Sequence, residues 1–239
     1  MKALILAGGR GKRLDNLVAT KNKCMIEIKG KPVIEYSLDC AAGTDVDEIV
    51  IVVGYRADDI INAYGNRYGD KPVRYVIQWE QEGLVHAIEC SKDALAGHDF
   101  MLLLGDEVLI NPRHQAMLDE FRRVEPFALC GILHVADRDL IKRTYALIRD
   151  DSGKVYRLIE KPHSPPNNIM GTGDCVFKNE ILNYIDKTPK HHVRNQKELP
   201  DLIQCTIDDG RLVKTFSVCD KYTNINTLDD IEMTMGFLG

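Results

Sequence analysis

The run KALILAGGRGKRL at Lys2–Leu14 decides the fold of this chain, because an apolar segment leads directly into a loop with three glycines. The segment Lys2–Leu6 predicts a buried β-strand. Glycines let the backbone approach a ligand closely, and the exposed N–H groups of such a loop can hold phosphate oxygens. The loop therefore predicts a phosphate site. Taken alone, it is also consistent with a tight strand-to-helix turn whose charged side chains are solvated.

The loop differs from two standard phosphate-binding motifs. Leu14 stands where a dinucleotide-binding fingerprint needs its third glycine, and Arg13 stands where a Walker P-loop needs Ser or Thr. The loop also carries three cations, Arg10, Lys12 and Arg13. This charge suits a triphosphate that side chains help to hold.

Outward from this loop, the N-terminal half alternates short apolar runs with amphipathic stretches. The apolar runs predict strands at Lys2–Leu6, Asp47–Val53, Val73–Ile77 and Phe100–Leu104, and the amphipathic stretches predict helices at Pro32–Ala42, Ala57–Tyr64 and Leu84–Ala94. Continuous apolar strands that alternate with helices are typical of a parallel sheet covered on both faces. The predicted fold class is therefore α/β, with a Rossmann-like, mixed but mostly parallel sheet and helices on both faces.

The pattern changes after Asn111. Strands are predicted at Ala128–Val135, Thr144–Arg149, Val155–Glu160 and Arg211–Ser217, and helices at Asn179–Ile185, Glu198–Asp208 and Leu228–Met235. The turn Asp150–Gly153 between two of these strands indicates an antiparallel portion of the same sheet. No linker or repeat divides the chain, so we expect a single domain over residues 1–239.

The composition is that of an ordinary globular protein. The chain has 239 residues and a mass of 27.0 kDa, with 44% apolar and 28% charged residues. Its net charge of −5 and the lack of a basic block argue against a nucleic-acid partner. No apolar run reaches the roughly 18 residues of a membrane span, and Ala3–Ala7 is too short for a signal-peptide core. Seven cysteines without a C-x-x-C pair indicate reduced thiols, and we expect a cytoplasmic protein.

The glycine loop opens a longer pattern. The run LAGGRGKRL at Leu6–Leu14 is followed, after a short interval, by Lys23-Cys24-Met25-Ile26 and then by Gly30-Lys31-Pro32. This pattern resembles the signature of the sugar-phosphate nucleotidyltransferase family, whose fold is Rossmann-like α/β. The usual K-P of that signature is Lys23-Cys24 here, which keeps the lysine in place.

Further motifs of the family occur in order along nearly the whole chain. Gln78 and Gly83 resemble its base-recognition segment, and Leu104-Gly105-Asp106 resembles its metal-binding aspartate at a strand end. The remaining matches are Tyr145-Ala146 for Tyr-Gly, Glu160-Lys161-Pro162 for E-K-P, Thr172-Gly173 for T-G, and Asn224-Ile225-Asn226-Thr227 for the closing D-x-G-T element. An ordered set of this kind is far more specific than any single motif.

The resemblance implies that an acceptor phosphate attacks the α-phosphorus of a nucleoside triphosphate in a Mg²⁺-assisted reaction that releases pyrophosphate. It implies catalytic roles for Arg13, Lys23 and Asp106, and metal ligands at Asp106 and Asn224. The implied nucleotide-binding residues are Leu6, Ala7, Gly8, Gly9, Arg10, Gly11, Gln78 and Gly83, and the implied acceptor-binding residues are Tyr145, Ala146, Glu160, Lys161, Thr172 and Gly173. Residues 1–110 would then form the nucleotide-binding half of the domain and residues 111–239 the acceptor-binding half.

The residue types at these positions suit that chemistry. Positioning and electrostatics can carry such a transfer without a protein nucleophile. A guanidinium at Arg13 would grip the triphosphate, and the ammonium of Lys23 would face the α-phosphate. A carboxylate at Asp106 would lie at the carboxyl end of a parallel strand, where ligands bind, and would hold Mg²⁺.

The substrates are less sharply indicated. By resemblance, Lys161 would hold the phosphate of the acceptor, and Glu160 would accept hydrogen bonds from its hydroxyls. The acceptor is expected to be a phosphorylated small molecule, with a sugar 1-phosphate first. Gln78 offers one donor and one acceptor, which match the edge of uracil or thymine, so a pyrimidine nucleotide (dTTP, UTP or CTP) is favoured.

Four positions depart from the pattern of the family. Asn224 stands where the first residue of D-x-G-T is a metal-binding aspartate, so it would bind Mg²⁺ through a neutral amide, and an Asx turn is the alternative. Ala146 replaces a glycine, and we expect its methyl to narrow the acceptor pocket. Asp174 occupies a position that is often apolar. Glu107 follows Asp106 where an asparagine is common, and we expect it to lie in a loop or behind the metal ligands.

Other functions stay open at this point. The first is a cytidylyltransferase that acts on a non-sugar phosphate or phosphonate, such as that of an alcohol, a polyol or a choline-like compound. The second is a catalytically silent nucleotide-binding relative, which the departures at Asn224 and Asp174 would suit. A dinucleotide-dependent oxidoreductase ranks third, because its third glycine is missing. Whether the chain forms a homo-oligomer is also left open.

Overall fold

The sheet of this protein is built around its first strand, as the glycine-loop stretch predicts. A computed structural model describes residues 1–11, 14 and 21–239, and within these residues ten strands form one sheet. Two short two-stranded ribbons complete the β-structure of the described residues. Lys12 and Arg13 lie outside the described residues.

Most of the strands and helices lie where the two halves of the sequence predict them. The strands are β1 (Lys2–Ala7), β2 (Glu27–Ile28), β3 (Lys31–Pro32), β4 (Glu48–Val53), β5 (Arg67–Tyr68), β6 (Lys71–Ile77), β7 (Phe100–Leu104), β8 (Glu107–Ile110), β9 (Ala128–His134), β10 (Tyr145–Arg149), β11 (Val155–Glu160), β12 (Ile169–Phe177), β13 (Val213–Ser217) and β14 (Lys221–Asn224). The helices are α1 (Val33–Ala42), α2 (Ala57–Tyr64), α3 (Leu84–Cys90), α4 (Lys92–Leu95), α5 (His114–Val124), α6 (Leu199–Asp208) and α7 (Leu228–Phe237). In the described part of the chain, no helix is both long enough and apolar enough to cross a membrane.

Four parallel strands form the centre of the sheet, in the order β7-β1-β4-β6. Ile5 of β1 lies between Ile51 of β4 and Leu103 of β7, and all three side chains are buried. Alternate residues of β4 belong to two separate apolar clusters, Val50 to one and Ile51 to the other. Burial of both faces is the reason β1, β4 and β7 carry apolar runs, whereas β6, nearer the edge of the sheet, has exposed residues at Arg74 and Ile77. The predicted α/β fold with a mostly parallel sheet is confirmed.

The order of these strands fixes where a ligand can bind. Because β1 and β7 are parallel neighbours, their carboxyl ends meet at the same edge of the sheet. The glycine loop after Ala7 and the turn at Gly105 therefore lie side by side, and the backbone N–H of Gly105 donates to the carbonyl of Leu6 at 2.9 Å. In open α/β sheets this edge is the usual position of a ligand site.

The strand β12 joins the antiparallel part to the parallel centre. On one edge its Cys175 lies opposite Leu102 of β7 and its Gly171 lies opposite Tyr145 of β10. Strand β9 pairs along its other edge, and β10 and β11 form the hairpin expected around the turn at 150–153. Strand β8 pairs with β14 in a separate ribbon that puts Asn224 opposite Glu107. This ribbon brings the closing segment of the chain to the end of β7.

Some elements differ from the predictions. The helix predicted at Leu84–Ala94 is two helices that meet at Ser91, whose Oγ donates to the carbonyl of Ala87 at 3.0 Å. A side-chain bond to the preceding turn of this kind competes with the regular helix ladder. The helix predicted at Asn179–Ile185 is a 3₁₀ helix over Asn179–Tyr184. The strands β2, β3, β5, β8 and β14 were not predicted, because each has only two to four residues. The nine-residue strand β12 and the helix α5 were also missed, and in β12 two glycines, Gly171 and Gly173, interrupt the apolar pattern.

Candidate active site

The glycine loop is pressed between two polar side chains. A Cβ on Gly8 would lie 2.8 Å from Oε1 of Gln78, and a Cβ on Gly11 would lie 2.9 Å from Cβ of Lys23. Gly11 also has a φ of +65°, a conformation that favours glycine. These two positions require glycine for space and, at Gly11, for conformation. A cleft of about 270 Å³ opens beside the loop, lined by Leu6, Ala7, Gly9, Gly11, Lys23, Cys24, Asp106 and Asn226.

Lys23 and Asp106 meet at the floor of this cleft. Lys23 begins a 3₁₀ turn that Asn22 caps, because Oδ1 of Asn22 accepts a hydrogen bond from the N–H of Cys24 at 2.8 Å. Lys23 Nζ lies 2.5 Å from Asp106 Oδ2 and 2.9 Å from Asn226 Oδ1. The Lys23 side chain is 7% exposed and that of Asp106 is 24% exposed. Two of the three predicted catalytic residues are therefore in direct contact, and the third, Arg13, lies outside the described residues.

Asp106 and Asn224 fit the oxygen-donor set of a magnesium ion. Both side chains line a second cavity of about 540 Å³, and the N–H of Ile225 donates to the carbonyl of Asp106 at 2.8 Å, which ties the two segments together. Mg²⁺ commonly takes one or two protein oxygens and completes its shell with water and substrate phosphates. Among the described residues, no cluster of three or more His, Cys, Asp or Glu side chains could hold a metal. The donors present therefore suit a metal that binds together with a phosphate.

Glu107 lies directly behind this position. It begins β8, so the expectation of a loop is wrong, and it is 2% exposed. Its carboxylate accepts hydrogen bonds from Tyr222 Oη at 2.5 Å, from the N–H of Gly173 at 3.2 Å and from Asn224 Nδ2 at 3.4 Å. Burial, together with the nearby Asp174 carboxylate, raises the pKa of Glu107 well above its usual value. The residue supports Asn224 from behind and fixes its amide orientation.

The predicted acceptor residues surround a third, smaller cavity. Tyr145, Glu160, Lys161, Thr172 and Gly173 all line this space of about 130 Å³. A Cβ on Gly173 would fall 2.5 Å from Leu104 and 2.8 Å from Glu107 Oε1, so the position allows no side chain. Here β12 runs against the end of β7 and the start of β8. The structure therefore brings the T-G and E-K-P motifs to one place.

Lys161 lies between the cavity of about 540 Å³ and the smaller cavity of about 130 Å³. Its Nζ lies 2.9 Å from Glu160 Oε1, its side chain is 44% exposed, and the residue lines both the 540 Å³ cavity and the smaller one. Its φ of +42° is uncommon for a non-glycine residue, and its N–H donates to the carbonyl of Thr144 at 2.8 Å. Burial raises the pKa of Glu160, while Lys161 and Arg194 oppose that effect. This ammonium is positioned to meet an anionic acceptor.

Of the predicted acceptor residues, Ala146 does not line this cavity, and Tyr145 lines it although its side chain is almost wholly buried. Ala146 is fully buried in an apolar cluster with Val135, Ile141 and Met170, so its methyl does not narrow the acceptor pocket. The expectation was wrong because successive residues of a strand face opposite sides, and Ala146 faces the core. Tyr145 is also buried, and its hydroxyl donates to the carbonyl of Thr172 at 3.0 Å. Its ring supports β12 from below.

The side chain of Gln78 is buried, whereas recognition of a base would require its amide to be free to bind a ligand. Nε2 of Gln78 lies 3.1 Å from both the carbonyl of Gly83 and Nδ1 of His86. The amide N–H groups assigned to a base are therefore engaged within the protein. Gly83 has a φ of +101° and precedes α3, so Gln78 fixes the start of that helix. Recognition of a pyrimidine by Gln78 stays a prediction.

Two residues that sequence reasoning left unassigned also belong to the cleft. Asn226 joins Lys23 to Asn224, and Arg143 lines both acceptor-side cavities while its Nη1 lies 3.1 Å from Asp230 Oδ1. For Asn226 a signal existed, because it occupies the third position of the D-x-G-T element, where the pattern has glycine. For Arg143 there was none, because nothing in the local sequence separates it from a solvated cation.

Comparison with known proteins agrees with this site. The nucleotidyl transferase family profile matches residues 2–231. The UTP–glucose-1-phosphate uridylyltransferase AglF of Haloferax volcanii is 31% identical over 221 residues, which cover 91% of this chain and 88% of that protein. A glucose-1-phosphate thymidylyltransferase of Streptomyces griseus is 32% identical over 235 residues, which cover 97% of this chain but only 64% of that protein.

A solved structure shows the same fold. A crystal structure from Bacillus anthracis, described as a candidate glucose-1-phosphate thymidylyltransferase in complex with sucrose, superposes with a TM-score of 0.87 at 22% identity. The superposition covers 99% of this chain and 94% of that one. The fold and the cleft thus define a nucleotidyltransferase of the nucleotide-diphospho-sugar transferase type. This chain belongs to the nucleotidyl transferase family, and it is a nucleotidyltransferase.

Proposed function

We propose that this protein transfers a uridylyl or thymidylyl group from UTP or dTTP to a sugar 1-phosphate, with Mg²⁺, and releases pyrophosphate. The observation that carries the proposal is the contact between Lys23 Nζ and Asp106 Oδ2, which lie 2.5 Å apart. This pair lies where the 270 Å³ cleft beside the glycine loop meets the 540 Å³ cavity on the acceptor side. The names of the two similar curated enzymes, one a uridylyltransferase and one a thymidylyltransferase, support the choice of nucleotide and sugar.

The glycine loop and Lys23 would act on the triphosphate. The loop presents backbone close to the cleft, because no side chain fits at Gly8 and Gly11. Lys23 Nζ is held on the same floor, where an ammonium offsets the charge that grows at the α-phosphate during transfer. We propose that Arg13 contributes a further cation toward the pyrophosphate, as the motif implies.

Asp106 and Asn224 would hold Mg²⁺. The ion, when bound, neutralises phosphate charge and helps to align the attacking and leaving oxygens. Asp106 keeps its Oδ1 for such a role, while its Oδ2 faces Lys23. Asn224 Oδ1 already accepts a hydrogen bond from Asn226 and has a second lone pair. Placement of both residues on the same cavity supports this assignment.

Lys161 and Glu160 would position the acceptor. Lys161 faces both acceptor-side cavities, so its ammonium can hold the acceptor phosphate near Asp106. Glu160 is half-buried beside it and would accept hydrogen bonds from the hydroxyls of a sugar. On this basis we propose that residues 1–110 serve the nucleotide and residues 111–239 the acceptor, with Asn224 and Asn226 of the second half completing the first.

The other functions considered are less well supported. Both curated relatives described above are named for glucose 1-phosphate, which favours a sugar over an alcohol or choline-like acceptor. Lys23, Asp106 and Lys161, which the transfer would require, are all retained around adjoining cavities, and this favours an active enzyme over a silent relative.

Pyrophosphate release tests the proposal directly. The protein is assayed with UTP, dTTP, CTP, ATP and GTP, each paired with a hexose 1-phosphate, with phosphocholine and with a polyol phosphate. We expect release with UTP or dTTP and a hexose 1-phosphate, and loss of that release on chelation of Mg²⁺. Turnover confined to CTP and phosphocholine would establish a cytidylyltransferase instead, and background release in every pair would establish a silent protein.

A further inference from the structure

We propose that Asn226 is a positioning residue for nucleotidyl transfer, which holds Lys23 and Asn224 in one hydrogen-bonded chain beside Asp106. The inference rests on the proposed function, because it concerns the same cleft. Asn226 Oδ1 accepts from Lys23 Nζ at 2.9 Å, and Asn226 Nδ2 donates to Asn224 Oδ1 at 2.5 Å. Lys23 Nζ also donates to Asp106 Oδ2 at 2.5 Å. One amide therefore connects the cation of the site to its second metal ligand.

The direction of this chain of hydrogen bonds is fixed from both ends. An ammonium only donates, so the group that faces Lys23 must be the oxygen of Asn226. At the other end the Glu107 carboxylate accepts from Asn224 Nδ2 at 3.4 Å, so Asn224 turns its oxygen toward Asn226. Asn226 must then offer one acceptor and one donor at the same time. Among side chains of this size an amide does both, whereas a carboxylate only accepts.

The backbone holds Asn226 in place for this task. Its N–H donates to Asp230 Oδ2 at 2.9 Å, and the same carboxylate oxygen accepts from the N–H of Thr227 at 2.8 Å. Thr227 Oγ1 accepts a hydrogen bond from the N–H of Asp230 at 3.3 Å, which completes the capping box at the start of α7. The side chain of Asn226 thus projects from an anchored turn, and the geometry of its two hydrogen bonds is set before any ligand binds.

The position of Asn226 in the sequence sets this chain apart from the family pattern. In the D-x-G-T element the third residue is glycine, which has no side chain to offer Lys23. Here the first residue, Asn224, also lacks the negative charge of an aspartate. A second carboxylate would hold Lys23 near the metal position by its charge. Asn226 holds Lys23 there by a hydrogen bond instead. If Asp106 turns toward a metal ion, Asn226 Oδ1 is the contact that retains Lys23 Nζ.

Two variants test the inference. Asn226→Gly restores the family residue and should lower kcat about 10-fold or more, the loss expected when a hydrogen bond to a charged group is removed, with the KM for the acceptor unchanged. Binding of Mg²⁺ with a non-hydrolysable UTP analogue, measured by calorimetry without acceptor, should weaken about 3-fold or more for the same reason. Asn226→Asp keeps an acceptor for Lys23 and adds a charge, so its kcat should exceed that of the glycine variant, and its half-saturating Mg²⁺ concentration should fall below that of the wild type.

The control is Asn66→Gly, the same substitution at an exposed turn residue, which should match the wild type in every measurement. The inference is overturned if Asn226→Gly melts like the control and retains wild-type kcat, analogue affinity and Mg²⁺ dependence. If the glycine variant does not fold, the aspartate variant decides, and wild-type values for kcat and Mg²⁺ dependence there overturn the inference. Background pyrophosphate release by the wild type with every substrate pair would instead refute the proposed function, while calorimetry would still test Asn226.

Discussion

Lys23 Nζ and Asp106 Oδ2 lie 2.5 Å apart although 83 positions separate the two residues in the chain. Removal of charges from water is costly, so a largely buried lysine requires a partner such as this carboxylate. Asp106 lines both the 270 Å³ cleft beside the glycine loop and the 540 Å³ cavity on the acceptor side. The pair therefore lies where two anionic substrates would meet. Each charge balances the other until phosphates and a metal ion enter.

Asp106→Asn should reduce pyrophosphate release about 100-fold or more, because the site loses the only carboxylate among its proposed metal ligands. It should also lower the free energy of unfolding by about 1–3 kcal/mol, less than for a fully buried pair, since Asp106 is partly exposed and Lys23 keeps its contact to Asn226. Steady-state assay and urea denaturation measure the two effects. Asp151→Asn, at an exposed turn, is the matched control. Unchanged turnover would remove Asp106 from the metal site.

Lys161→Ala should act mainly on the acceptor. We expect the KM for the sugar 1-phosphate to rise about 10-fold or more, because one charge-assisted contact to phosphate is lost, while the KM for the nucleotide stays within about 2-fold. Initial rates measured against each substrate in turn separate the two constants. Lys154→Ala provides the comparison, as this lysine is exposed on the β10–β11 hairpin. A large loss of nucleotide affinity with normal acceptor saturation would contradict the assignment of Lys161.

Gly173→Ala should destabilise the protein and disturb the site together. The added methyl would lie 2.5 Å from Leu104 and 2.8 Å from Glu107 Oε1, and Leu104 ends a strand of the sheet. Overpacking of this kind lowers the free energy of unfolding by about 1–3 kcal/mol. The backbone shift that makes room for the methyl group would also move the N–H of Gly173 away from Glu107. Urea denaturation and kcat should both report the change.

Gly236→Ala is the control for this substitution. Its Cβ would meet no atom within 4 Å, and Gly236 lies within α7, where alanine is favoured over glycine by about 0.5–1 kcal/mol. The control should therefore be neutral or slightly more stable. Equal stability of the two variants would show that the packing at Gly173 has been misjudged.

The buried pair of His114 and Asp174 should make stability depend on alkaline pH. Burial by itself lowers the pKa of His114, but the hydrogen bond to Asp174 at 3.0 Å, with the nearby Cys40, outweighs it and raises that pKa to about 10 from the usual 6.5. The folded protein then binds this proton more tightly than the unfolded chain does. The stabilisation of the folded protein by protonated His114 is complete below pH 6.5 and is lost as the pH rises toward about 10.

This dependence can be isolated by comparing the wild type with His114→Gln. Glutamine keeps a donor toward Asp174 but does not titrate. The free energy of unfolding of the wild type should fall between about pH 7 and pH 10 by more than that of the variant, because only the wild type loses the proton of His114. Parallel pH slopes in urea denaturation would show that His114 is neutral in the folded state.

Several features of the fold were predictable because they depend on local pattern. The parallel strands β1, β4 and β7 are apolar except for Lys2 and Glu48 at the start of the first two, since both faces of the sheet are covered. The glycines at Gly8 and Gly11 mark a close approach of the backbone. The resemblance to a family then placed Lys23 and Asp106 in one site. Their direct contact was not predicted and comes from the tertiary structure alone.

Other features follow from long-range pairing that a single sequence does not display. The side chain of Ala146 points to the core and that of Tyr145 lies under Gly171, because β10 pairs with β12 in one particular register. Gln78 turns its amide to Gly83 and His86, which lie nearby only after α3 has packed. In both cases the sequence indicated which residue lies near the site, but it did not indicate where the side chain of that residue points.

The amino-acid sequence by itself determined the alternation of strands and helices, the glycine loop and the order of the motifs, because hydrophobic period and backbone conformation act over a few neighbouring residues. Only the tertiary structure decided that Asn226 joins Lys23 to Asn224 and that Glu107 lies beneath them. Those contacts arise when β14 pairs with β8, and that pairing joins segments more than a hundred residues apart whose local sequences carry no mark of each other.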